Sequence, residues 1–208
     1  MTDKRALGVR ERNRLSILNA AREVLEADPE ASMDDIAAVA GMVRRTLYGH
    51  FPTRQDLVGE LVRAGAREFV ADLGEVDVTA RDPAEEMAAL VLRTWGAADR
   101  FAKVIALARR GADGTLLAEM EPFNAVVARL IAHGQRHGVF TNDLAPHMLA
   151  RVLESGALAF LAARSDGSWD GDAADVARTH LLLLGVPVAQ ARAAVRTATA
   201  RERSSDEI

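Results

Sequence analysis

The sequence predicts an all-α fold, and three observations carry the prediction. Apolar residues recur at helical spacing, first at Ile17, Leu18, Ala21, Val24 and Leu25. Ala, Leu, Val and Arg dominate the composition, which favours helix. Six Pro and 15 Gly are few for an all-β chain with many turns. The 208 residues suffice for one domain with a sizeable core, or for two small ones. With 49% apolar and 27% charged residues the chain folds rather than staying disordered.

The elements follow in order. The first helix runs over about 10–27, and Asp28-Pro29 ends it. Ser32 is placed as the N-cap of a short helix over 33–40, with Asp35 completing a variant capping box. That helix is expected to bury Ile36, Ala37, Val39 and Ala40, and Gly41 breaks it. A second short helix over 44–50 has Leu47 as its buried anchor and stops before Phe51-Pro52, because the residue before a proline avoids the α region. Thr53 caps a longer helix to about 73, with Asp56 at the capping-box offset and Leu57, Leu61, Val62 and Phe69 on its buried face. A polar stretch leads to Asp82-Pro83, which opens the next helix. Further helices are predicted over 83–95, 99–110, 116–136, 144–164, 172–184 and 188–203. Their breakers are Gly96, the segment 111–114, Gly138 with Asn142, the segment 167–171 and the segment 185–187.

Composition narrows the function. The absence of Cys excludes disulfides, thiol catalysis and Cys-ligated metal centres. The apolar stretch 181–189 is far shorter than the roughly 18 to 20 residues of a membrane span. The basic N-terminus has no apolar run behind it, so no signal peptide and no membrane association are expected, and a cytoplasmic location is. A net charge of −4 argues against nucleic acid, but its distribution argues for it. Lys4, Arg5, Arg10, Arg12 and Arg14 face only Asp3 and Glu11 in the first 14 residues. The segment 40–54 holds Arg44, Arg45 and Arg54 with no acid, while the rest of the chain is acidic. Such a local basic surface suits phosphate.

The segment 32–57 concentrates the chemistry. Two short helices joined by a Gly turn form a helix-turn-helix arrangement, and the small Ala37 and Ala40 let the helices cross closely. The second helix carries Arg44, Arg45, Thr46, Tyr48 and His50, all able to donate hydrogen bonds to bases or phosphates. Arg54 opens the following helix, whose unpaired N–H groups also favour a phosphate.

In Ser32, Ile36, Ala37, Ala40, Gly41, Thr46, Leu47, Tyr48, His50, Phe51, Thr53 and Leu57 the segment resembles the DNA-binding domain of the TetR family of transcriptional regulators. The first helix, with Ala20 among its apolar residues, is similar too. The chain departs from the pattern at Val43, where a capping Ser is usual, at Arg54 in place of Lys, and at Gly49 inside the recognition helix. The resemblance implies a DNA-binding domain over 9–69, with the helix-turn-helix proper at 32–51, and a helical regulatory and dimerisation domain over 74–203. It implies a homodimer pairing through the helices 144–164 and 172–184, where Gly156, Ala157, Ala159, Ala162 and Ala163 permit close approach. Such a dimer reads a pseudo-palindromic operator in double-stranded DNA. Arg44, Arg45 and Thr46 would read bases, Tyr48, His50 and Arg54 would hold phosphates, and Ser32 would support them as a cap. The family's action as a repressor released by a small-molecule effector, with the helix from Thr53 transmitting the change, is implied in the same way. Trp95, Phe101, Met120, Phe123 and Phe160 are the large apolar candidates for the effector pocket.

Each residue also has a plainer reading. The three arginines could form a solvated surface, Tyr48 a packed aromatic, and His50 a helix C-terminal cap. His133 and His137 have the spacing of a metal pair but sit in a segment without acids, which favours cations near a helix C-terminus. The basic arm 4–14 could be a disordered tail or could follow DNA. No phosphate loop, nucleophile elbow or metal-ligand cluster is present, so neither an enzyme nor a cofactor is expected. The alternative is a dimeric helical protein acting through protein partners, with a DNA-binding head weakened by Val43 and Gly49.

Overall fold

A computed structural model describes residues 3–72, 74–100, 102 and 118–205. Among these residues the elements are α1 (Asp3–Ala27), α2 (Met33–Val39), α3 (Arg44–His50), α4 (Arg54–Asp72), α5 (Pro83–Arg100), α6 (Glu121–Arg136), α7 (Pro146–Ser165), α8 (Ala173–Leu183) and α9 (Val188–Ser205), with no strand. The helix predicted over 99–110 falls largely outside the described residues, and the one predicted over 116–136 is found as α6. The fold is all-α, and the described residues divide into two compact units, with the division after Arg67.

The first unit holds α1 to α3 and the first turns of α4. Its core is Ile17, Ala21 and Leu25 of α1, Ile36 and Ala37 of α2, Leu47 of α3, and Leu57 and Leu61 of α4. Phe51, 3% exposed, closes the core after α3. The Ser32 capping box forms: the Asp35 amide donates to Ser32 Oγ at 3.2 Å, and the Ser32 amide donates to Asp35 Oδ2 at 2.9 Å. The Ser32 hydroxyl, donating to Asp35 Oδ2, and then the Ser32 amide hold the Asp35 carboxyl below its ordinary value. Thr53 and Asp56 make the matching pair at the start of α4. Gly41 adopts φ +65°, a left-handed turn that a Cβ resists. Three sequence-based expectations change here. Helix α1 starts seven residues earlier than its apolar period indicates, at Asp3. Val39, assigned to the core of α2, is 52% exposed, and Ala40 is half-buried, because the crossing of α2 on α1 and α3 uses the Met33, Ile36 and Ala37 face.

One buried carboxylate ties α1 to α4. Glu60 accepts Arg14 at 3.0 Å, Arg63 at 2.8 Å and Arg67 at 3.0 Å. Burial alone would raise the Glu60 carboxyl, but the hydrogen bonds and charges of Arg63 and Arg14 outweigh it and hold it below its ordinary value. The same Arg14 guanidinium lies 5.3 Å over the Phe51 ring.

The second unit is built around α5, which packs against α8 and α9, while α6 packs against α7. Met87, Ala88, Ala89 and Leu90 are at most 1% exposed, so α5 is buried on every side at that level. Gly96, expected to break this helix, does not: α5 continues to Arg100 because Trp95 and Ala97 are buried beside it. Their burial outweighs the roughly 1 kcal/mol that glycine costs in a helix. Pro122 occupies the first turn of α6, where its missing N–H costs nothing. Gly134 lets the chain fold back on α6, since a Cβ there would lie 2.1 Å from the Phe140 ring. The apolar run at the end of α8 divides between two faces: Leu181 and Leu184 are fully buried, whereas Leu182 and Leu183 are 40% and 45% exposed. Met148 and Val152 of α7, with Leu144 before it, form a second exposed apolar line. His133 donates from Nε2 to the Ala80 carbonyl at 3.1 Å, and His137 lies one turn on with its Nδ1 2.9 Å from the His133 carbonyl. Among the described residues no group of three or more His, Cys, Asp or Glu gathers to hold a metal. No helix among them is long and apolar enough to cross a membrane.

Two predictions follow from local structure. Val43, in the N-cap position of α3, has extended backbone (φ −73°, ψ 145°) but offers no side-chain acceptor. Val43→Ser should therefore stabilise the protein by about 1 kcal/mol, read as a raised denaturation midpoint. An unchanged midpoint would mean that the α3 amides gain nothing from a cap. His180 of α8 is 5% exposed, its Nε2 has no hydrogen-bond partner, and burial pushes its pKa down to about 4 from 6.5. The unfolded chain binds a proton below about pH 6.5 and the native His180 does not until about pH 4, so stability falls as pH drops through that window. At pH 5 the loss is about 2 kcal/mol, and His180→Gln should flatten the pH dependence of chemical denaturation by that amount.

Candidate nucleic-acid interface

Helix α3 has seven residues, and only Leu47 among them is buried. That one anchor turns the remaining side chains outward. Arg44 and Arg45 are exposed, and Thr46, Tyr48 and His50 are half-buried. The Arg44 guanidinium meets Asp34 of α2 at 2.9 Å and lies 5.4 Å over the Tyr48 ring. Both partners of this ion pair are well exposed, at 67% and 51%, so the pair orients Arg44 more than it stabilises the fold. Tyr48 packs its ring against the core of the unit as well, which joins its packed and its functional readings.

Helix α1 brings a second element to the same surface. Val9, Arg10 and Asn13 of α1 face Arg45, Thr46, Gly49 and His50 of α3 across a cleft of 570 Å³. No heavy atom lies within 4 Å of where a Gly49 Cβ would stand, so this position borders open space. No acid lines it. Burial, followed by the charges of Arg10 and Arg14, pushes the His50 imidazole below its ordinary pKa, and Glu11 opposes them only in part. Asn13 was not among the residues singled out in the sequence. It stands one helical turn before the fully buried Ile17, and that spacing is the signal that could have placed it.

Arg54, expected on a phosphate, is turned inward in this structure. Its Nη2 donates to the Pro29 carbonyl and its Nε to the Ala31 carbonyl at 3.4 Å. The guanidinium thus ties the α1–α2 connection to the start of α4. Ser32 likewise acts through its capping box, with its hydroxyl on Asp35 at 2.6 Å.

The aromatic candidates of the second unit fall into two groups. Trp95 meets Trp169 edge-on at 5.9 Å, and Phe160 meets the same Trp169 at 4.9 Å. Trp169 belongs to a segment that reads as a helix break in the sequence and was not among the candidates. Phe123 stands edge-on to Phe69 at 5.2 Å. Met120 is half-buried at the N-cap of α6, and Phe101 lies outside the described residues.

Residues 17–61 match the family model described as bacterial regulatory proteins, tetR family. Over 76 residues the chain is 42% identical to the HTH-type transcriptional repressor LfrR of Mycolicibacterium smegmatis. That alignment covers 36% of this chain and 38% of that protein. The crystal structure of LfrR from Mycobacterium smegmatis in complex with proflavine is similar over 85% of this chain and 96% of that chain, with 25% identity and a TM-score of 0.61. RolR in complex with resorcinol shares the fold over 91% of this chain and 95% of that chain, at 21% identity and a TM-score of 0.65. The helix-turn-helix geometry of α2 and α3 and the matched residues agree: over residues 17–61 the chain is similar to the tetR family of bacterial regulatory proteins.

Proposed function

We propose that the protein is a homodimeric transcriptional repressor that binds a pseudo-palindromic operator and leaves it when a small molecule binds the second unit. The carrying observation is the basic cleft where α1 and α3 meet, lined by no acid among the described residues: Arg10 and Asn13 stand beside Arg45, Thr46 and His50, with Arg44, paired with Asp34, at the start of α3. In this reading Arg44, Arg45 and Thr46 enter the major groove and meet base edges. Tyr48, His50, Arg10 and Asn13 hold the flanking phosphates. Arg54 and Ser32 keep the reading head in shape through the Pro29 and Ala31 carbonyls and the Asp35 box.

The exposed lines on α7 (Met148, Val152) and α8 (Leu182, Leu183) support dimerisation, since two such lines on one unit can pair with their symmetry copies in a four-helix bundle. The ligand complexes of LfrR and RolR support a small-molecule effector. The aromatic groups around Trp169 and around Phe123, with Phe101 and Met120, are where we expect it to bind. The function is regulatory rather than enzymatic in this proposal. A second reading, partner binding by a helical dimer with a weakened head, draws on the uncapped Val43 and on Gly49.

Selection of bound duplexes from a random DNA pool tests the proposal. An enriched inverted repeat with steeply salt-dependent affinity supports it, and no enrichment with or without candidate effectors favours partner binding. With the operator in hand, Arg44→Ala should lose about 1–3 kcal/mol of discrimination at one base position. Arg54→Ala should weaken all sequences alike and lower the denaturation midpoint as well. Val152→Asp places a charge on the α7 line, and sedimentation should then find monomers whose operator affinity is lost. A dimeric Val152→Asp protein would move the interface elsewhere.

A further inference from the structure

A second arginine cluster lies in the second unit, between α8 and α9. Arg192, Arg196, Thr199 and Arg203 follow one another along α9 at spacings of four, three and four residues. At 3.6 residues per turn they fall within an arc of about 60° and span about 16 Å of helix. This stripe borders the buried face of Ala191, Ala194, Val195 and Ala198. Across from it stand Arg178 and Ala174 of α8, and with Val195 and Ala200 they enclose a cleft of 560 Å³. Arg178 is paired with Asp175. Among the described residues, Arg192, Arg196 and Arg203 make no ion pair and no carboxylate lines the cleft.

The contrast with the rest of the unit is informative. Arg93 reaches Glu86 at 3.4 Å and Glu202 at 3.6 Å, Arg164 reaches Asp99 at 3.2 Å, and Arg201 reaches Glu86 at 3.7 Å. These three arginines are matched with carboxylates. In the α8–α9 cleft they are gathered on one face, where like charges one turn apart repel. The hydroxyl of Thr199 donates to the Val195 carbonyl at 2.8 Å, which leaves the guanidinium forks as the donors of the site. Several such forks in one concavity match the oxygens of a polyvalent phosphate, which they can hold by paired hydrogen bonds. The volume is that of a small-ligand site, and Ala174, Val195 and Ala200 supply an apolar floor.

We propose that the α8–α9 cleft binds a small polyphosphate-bearing anion, with Arg192 and Arg196 as its principal contacts and Arg178 and Arg203 at its ends. The source is a free phosphate chain or a nucleotide, which present the same group. This site is separate from the α1–α3 surface and does not depend on the function assigned to it.

Calorimetric titration of the full-length protein with inorganic tripolyphosphate tests the assignment, with sulfate at matched ionic strength as the control. The wild-type protein should bind tripolyphosphate, and the double variant Arg192→Gln, Arg196→Gln should bind it about tenfold or more weakly. Because the reading head is also basic, a second double variant, Arg44→Gln with Arg45→Gln, should retain the binding. Adenosine triphosphate tighter than tripolyphosphate assigns a nucleotide, and equal affinity assigns the bare phosphate chain. If the α9 variant does not fold, Arg192→Lys with Arg196→Lys keeps the charge and should still weaken binding through loss of the paired bonds. The proposal is overturned if wild-type protein shows no binding, if sulfate competes equally, or if binding is lost in the head variant and kept in the α9 variant.

Discussion

The structure of the helix-turn-helix depends on the burial of Leu47 and Phe51. A seven-residue helix cannot hold itself in water, because nucleation costs more than so few hydrogen bonds return. Helix α3 lacks a capping side chain as well, since Val43 stands where an acceptor would help. It persists because Leu47, fully buried, and Phe51, 3% exposed, are seated among Ile17, Ile36 and Leu57. Everything exposed on α3 is aimed by those two anchors. The position of Arg44, Arg45 and Thr46 is thus a consequence of core packing.

Charge in this unit divides between scaffold and surface. Glu60 gathers Arg14, Arg63 and Arg67, and Arg54 is spent on the carbonyls of Pro29 and Ala31. These arginines hold α1, α2 and α4 in register. Facing outward are Arg10, Arg12, Arg45 and the Asp34-paired Arg44, with His50 among them kept toward its neutral form by burial and by neighbouring cations. A phosphate arriving there would meet donors without a competing carboxylate in the cleft.

In the second unit, α5 acts as the buried axis, and the surface features stand on the helices around it. Buried polar groups there are few and incompletely paired. Asn124 donates to Glu154 at 2.9 Å, yet Asn124 Oδ1 and Glu154 Oε1 have no partner, and burial raises the Glu154 carboxyl. His180 sits beside Gly156, whose missing side chain leaves it room. Such groups cost stability in proportion to their isolation, which is why the pH response of the fold is traced to His180.

Local chemistry determined what was legible in the sequence. The Ser32–Asp35 and Thr53–Asp56 boxes, the turn at Gly41, the anchor Leu47 and the missing cap at Val43 all follow from side-chain types at fixed offsets, because their partners lie within four residues. The same reach explains the helix-turn-helix and, through it, the match of residues 17–61 to the tetR model. Only the tertiary structure decided the rest. It carried α5 through Gly96, moved Val39 to the surface, brought Arg10 and Asn13 beside α3, and turned Arg54 toward carbonyls more than twenty residues away. It also joined Trp95 and Phe160 through Trp169, and set the arginines of α9 opposite Arg178. Each of these rests on contacts between residues distant in the chain, and their energies exceed the local preferences that a sequence displays.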